Sequence, residues 1–113
     1  MGDGAWVKEL KVGITVCDRE GNALEMNDRA AETFAADGGR DLVGKSILDC
    51  HPPRARELFE VLLRTGGTNA YTIEKNGVKK LIYQAPWYEN GVCRGIVELS
   101  LPIPFDLPHF VRS

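Results

Sequence analysis

The chain has 113 residues, 43% of them hydrophobic, enough for one core in one compact domain without disulfide or metal staples. Its 14 basic and 16 acidic residues leave a formal charge of -2, and no Lys/Arg run is dense enough to follow a phosphate backbone, which makes nucleic acid a poor partner. No apolar stretch approaches the ~20 residues that cross a bilayer, and the opening MGDGAWVKELK lacks the apolar centre of a secretory signal, so the expectation is a cytoplasmic protein with no membrane contact.

AWVKELK is too short to stand alone as a helix, but Trp6, Val7 and Leu10 sit at helical spacing and suit a docking segment. GITVCD alternates and is β-branched, DREGN supplies turn residues and ALEMN alternates again, a pattern that predicts a hairpin. Asn27 then stands where its side-chain oxygen can cap the first turn of DRAAETFAA, a short helix that Gly38-Gly39 stops. DLVGKSILD reads as broken helical turns around Gly44.

After Pro52-Pro53 comes the clearest helix, with Ala55, Leu58, Phe59 and Leu62 on one face and Gly66-Gly67 at its end. TNAYTIEK, VKKLIYQAPWYE and VCRGIVELSL follow as three alternating segments joined by Asn76-Gly77 and Asn90-Gly91, the signature of two-residue hairpins. Pro86 is expected to mark a bulge or the limit of pairing in the middle strand. Two strands, a helical patch and three strands bury their apolar faces best as one five-stranded antiparallel sheet with helices over one side, an α+β arrangement.

The sequence resembles a PAS domain. G-I-T-V-x-D, then D-x-x-G-x-x-L-x-M-N, L-V-G-K-S-I-L at 42–48, the following H-P, Gly66 and the paired N-G hairpins leading to G-I-V-E-L-S carry the resemblance over roughly residues 10–101. It implies a PAS-like five-stranded antiparallel sheet with short helices packed on one face, enclosing a pocket for a small molecule or cofactor. It also implies a homodimer formed through the sheet's outer face and a segment before the first strand. The corresponding division is an N-terminal docking segment at 1–10, the PAS domain at 11–101 and a proline-rich tail at 102–113. Signalling members usually continue into a long output helix, which Pro102, Pro104 and Pro108 forbid here. The chain is thus either a free-standing sensor acting through a signalling partner protein or a piece of something longer.

Candidate site residues follow from these elements. Tyr71, Leu81, Tyr83 and Trp87 lie on the last three strands; if their face is concave they line the pocket, and otherwise they form core or a dimer surface. Met26, Phe34 and Leu58 are expected to be core residues that edge the cavity. His51 can serve as an axial haem ligand or as a plain helix entry. Its neighbour Cys50 is a redox thiol or a small buried hydrophobe. Cys17, Cys50 and Cys93 are an odd number without CxxC spacing, which argues for reduced thiols rather than a disulfide framework or a zinc site. Cys17 and Cys93, on strands that are antiparallel neighbours in the family, are expected near each other across the sheet. No carboxylate pair, nucleophile with base, or phosphate loop is present, so no catalytic residues are assigned and the reading is a non-catalytic sensor. The rivals are a haem or redox sensor using His51 or Cys50, a small α+β cone enzyme, and a purely structural dimer module.

Overall fold

The computed structural model describes residues 4–48 and 53–113. Five strands, β1 (Gly13–Cys17), β2 (Ala23–Met26), β3 (Asn69–Lys75), β4 (Val78–Glu89) and β5 (Val92–Ile103), form one antiparallel sheet in the order β2-β1-β5-β4-β3. The N-terminal hairpin therefore joins the C-terminal meander through the β1–β5 pair, in which Thr15 faces Glu98 and Val16 faces Val97. Both Asn-Gly pairs adopt the positive φ that their turns demand, with Asn76 at 52° and Gly77 at 77°, and Asn90 at 53° and Gly91 at 81°.

Among the described residues the helices are α1 (Ala5–Lys8), α2 (Asp28–Thr33) and α3 (Pro53–Thr65), with 3₁₀ turns at Ala35–Asp37 and Gly39–Leu42. The Asn27 cap forms as expected, its Oδ1 accepting from the Ala30 amide at 3.0 Å. It does more than cap. The same oxygen accepts from the Ile14 amide at 3.0 Å, and Nδ2 donates to the carbonyls of Val7 at 3.0 Å and Val12 at 2.7 Å. One buried amide thus ties α1, β1 and α2 together. Asp28, at the start of α2, adds ion pairs to Lys8 and Arg40.

α3 begins at Pro53, where a missing amide costs nothing, and buries Phe59 and Leu62 on the sheet. Each contributes roughly 1.5–3 kcal/mol of hydrophobic stabilisation. Among the described residues of the N-terminal segment only Val7 is half-buried, against the outer side of the first hairpin, while Trp6 and Leu10 remain exposed. Pro86 neither bulges nor ends its strand. It pairs with Ile96, just past Gln84, the last β4 residue paired with β3, and the irregularity falls one step later, between Trp87 and Tyr88. Beyond β3's end, β4 has an open side, the setting in which a sheet tolerates proline.

The β1–β5 seam is tight. Gly95 has φ 156°, and a Cβ placed there would lie 1.8 Å from the Cys17 carbonyl oxygen. That oxygen also accepts from the Trp87 indole nitrogen at 2.9 Å.

The core is in two parts. One cluster gathers Cys17, Leu48, Phe59, Leu62 and Ile96 beneath α3, and the other gathers Met26, Ala30 and Leu42 by α2. Domains of this size usually have one contiguous cluster. Here the strip of sheet between the two carries Thr15, Glu98 and Ser100 instead.

Candidate functional site

Strand alternation and register decide which residues face the helices. On the covered side stand Thr15 and Cys17 of β1, Ile82 and Gln84 of β4, and Ile96, Glu98 and Ser100 of β5. Ile14, Val16, Leu81, Tyr83, Val97, Leu99 and Leu101 occupy the other, open side. An ordinary half-covered sheet turns its apolar set inward and its polar set to water. This one reverses the pattern along the middle of β5 and β4.

Two hollows lie between the covered face and the helices. The smaller, about 120 Å³, has an apolar wall of Cys17, Leu48, Leu58, Phe59, Leu62 and Ile96. The larger, about 430 Å³, is lined by Thr15, Ala30, Phe34, Ile73, Ile82 and Ser100, with Lys75 and Lys80 towards the β3–β4 turn. Tyr71 and Glu98 belong to the walls of both.

A hydrogen-bonded relay crosses three strands at this junction. Asn69 Nδ2 donates to Gln84 Oε1 at 3.0 Å, and Gln84 Nε2 donates to Glu98 Oε1 at 2.9 Å. Burial, then the Glu98 charge, raises the pKa of Tyr71. Burial, with smaller contributions from Glu98 and Asp18, pushes the Cys17 thiol up to about 12. Cys17 is accordingly a protonated, small apolar wall residue rather than a thiolate.

Of the residues singled out from the sequence, Tyr71, Phe34 and Leu58 line the hollows. Leu81 and Tyr83 are on the opposite face, because the pairs Tyr71↔Ile82 and Ala70↔Tyr83 put Tyr71 and Tyr83 on different sides. Trp87 is held by its bond to the Cys17 carbonyl at the end of the sheet and lines neither hollow. Met26 packs with Ala30 and Leu42 beside the larger hollow. Cys50 and His51 lie outside the described residues. Cys17 is buried and Cys93 half-buried, both as free thiols. Among the described residues no cluster of three or more His, Cys, Asp or Glu side chains is placed to hold a metal, and no helix is long and apolar enough to cross a membrane.

Gln84, Asn69, Glu98, Thr15 and Ser100 were not foreseen. The one signal for them is the polar pair Glu98 and Ser100 alternating with Val97, Leu99 and Leu101 in a central strand, which by itself reads as a solvent face.

The antiparallel sheet with short helices over one side and two hollows between them is an α+β module. A model of the family described as PAS fold matches residues 7–66, and the chain belongs to that family. Comparison with curated proteins gives no significant match. Among solved structures, VqmA bound to DPO, the Vibrio cholerae protein, superposes with a TM-score of 0.71 at 14% identity over 89% of this chain. The match spans only 56% of that chain. A sensory box sensor histidine kinase from Vibrio cholerae gives 0.64 at 13% identity, covering 88% of each chain. The Aer2 receptor of Vibrio cholerae, a dual PAS-haem oxygen sensor, gives 0.63 at 17% identity over 82% of this chain and 95% of its own. At these identities the likeness is one of fold, a fold that occurs in histidine kinases and other sensors.

Proposed function

We propose that this chain is a non-catalytic sensor and interaction module of a bacterial cytoplasm, which holds a small molecule between sheet and helices and pairs with a second copy through the open sheet face. The reversed polarity of the sheet supports this reading above any other observation. Polar groups on the covered side suit a polar ligand. The half-exposed apolar stripe of Leu81, Tyr83, Val97, Leu99 and Leu101 suits a protein interface.

Ligand occupancy would shift the balance between two packings of the helical patch, and α1, tied to the same framework through Asn27, would feel the change. β5 ends at Ile103, and residues 104–113 form neither helix nor strand while exposing Phe105, Leu107, Phe110 and Val111. Output then passes through the open face or this tail to a signalling partner. The strand-first order, with both strands of the hairpin preceding the one long helix, speaks against the cone-enzyme alternative.

Native mass spectrometry of freshly purified protein, read beside its absorption spectrum, tests the proposal. A dimer that releases a small molecule is expected, and Leu99→Glu should yield monomer without unfolding. A monomer at micromolar concentration with nothing bound and no ligand found by screening refutes it. A Soret band would instead transfer the site to haem chemistry.

A further inference from the structure

We infer that the hollow is built for a small primary amine carrying one positive charge, its ammonium group directed at Glu98 and its hydrocarbon body lying in the apolar lobe formed by Phe59, Leu62 and Ile96. The inference rests on the sensor reading above and names the class of molecule sensed.

The argument begins with the carboxylate. Glu98 stands on the covered face of a central strand and borders both hollows, so a molecule in either one meets it. A carboxylate is an acceptor only, and taking it from water is costly unless donors replace the lost hydration. The protein supplies one donor, Gln84 Nε2, on one oxygen. Asn69 fixes the orientation of that amide by donating to its Oε1, so Gln84 is committed to donating towards Glu98. Among the described residues no donor reaches the second oxygen, and no lysine or arginine forms an ion pair with the group. The site therefore has a fixed acceptor with capacity left over, and a charge-assisted bond from an ammonium group is its natural complement.

Cationic side chains of the wall are placed away from it. On β4, Lys80 and Gln84 are separated by Ile82 on the same face, and four residues of strand span roughly 13 Å. Lys75 shares the Lys80 end, near the β3–β4 turn. The larger hollow is thus polarised, negative at the Tyr71–Glu98 junction and positive at the turn. A second ammonium on the ligand meets either these lysines or the apolar lobe, and both disfavour it. That selects monoamines over diamines.

The test titrates the intact protein by calorimetry with pentylamine, pentan-1-ol, pentanoate and 1,5-diaminopentane. Pentylamine should bind roughly 10- to 100-fold more tightly than pentanol, as a hydrogen bond to a charged group allows. Pentanoate and the diamine should both bind more weakly than pentylamine. Glu98→Gln, which keeps the acceptor for Gln84, should lower amine affinity far more than pentanol affinity and so erase the preference. Should that variant fail to fold by circular dichroism, Glu98→Asp serves, with amine affinity falling more than pentanol affinity because the carboxylate is withdrawn from the hollow. Pentanol or pentanoate binding as tightly as the amine, a diamine binding more tightly, or a preference that survives both variants overturns the amine assignment and leaves the ligand-binding reading standing. No binding by any of the four also overturns the amine assignment, and the sensor reading then stands or falls by its own test of retained ligand and subunit number.

Discussion

Replacing Gly95 with alanine tests whether the β1–β5 seam holds the two halves of the sheet together. Two independent costs arise. The backbone at φ 156° lies where only glycine is comfortable, which costs an L-residue about 1–3 kcal/mol. The new methyl would also stand 1.8 Å from the Cys17 carbonyl oxygen and 2.8 Å from the carbonyl carbons of Cys17 and Asp18. These are backbone atoms that cannot rotate aside, so the strands must part by roughly an ångström, and such overpacking costs about 1–3 kcal/mol. Parting them also strains the Trp87 indole bond to the same oxygen. The total, about 2–6 kcal/mol, is a large share of the ~5–15 kcal/mol that stabilises a domain. Gly77→Ala is the control: at φ 77° it incurs a comparable dihedral penalty, about 1–2 kcal/mol, but has nothing within 4 Å of its Cβ position. Urea unfolding of both variants, compared at a common slope, separates the contributions. If Gly95→Ala proves no more than 1 kcal/mol worse than Gly77→Ala, the steric argument is wrong.

Asn27→Ala removes four hydrogen bonds from a buried position and should cost about 2–4 kcal/mol in denaturant unfolding. It should also release α1, seen as faster tryptic cleavage at Lys8 or Lys11 in the folded protein. Iodoacetamide should label half-buried Cys93 well before Cys17, as peptide mass analysis would show, because burial keeps the Cys17 thiol protonated. That raised pKa contributes stability in full below pH 9.0, the ordinary thiol value, and loses it as pH climbs towards about 12. The decline in stability between pH 8 and 10.5 should therefore be shallower in Cys17→Ala. Asp18 has the opposite sign: burial works against its ionised form, but the amides of Asn22, Glu20 and Gly21 and the Asn22 side chain prevail and hold it below 3.8. The disadvantage of Asp18→Ala, about 1–2 kcal/mol at neutral pH, should narrow as pH falls below that value.

Much of the fold was legible because its signals are local. Asn76-Gly77 and Asn90-Gly91 specify their turns by their own dihedral tolerance, and the spacing of Leu58, Phe59 and Leu62 specifies one helix face. The site was legible only in part. Alternation separates a strand into two faces but does not say which face another element will cover. Leu81 and Tyr83 therefore looked as suited to the hollow as Tyr71, although the register of β3 on β4 sends them to opposite sides. Glu98 looked like a residue bound for water. Its importance comes from Gln84 and Asn69, which reach it from two other strands, a relation that no local pattern encodes.

The strand order has a consequence for how the molecule is made. β5, the last of the five strands in chain order, occupies the middle of the sheet, and its partner β1 is the first. Until β5 emerges, the opening hairpin has no strand to join it to the meander, and α3 lacks much of the floor it rests on. Assembly of the sheet must therefore wait for β5 and close its longest loop late, which places this domain among the slower folders of its size.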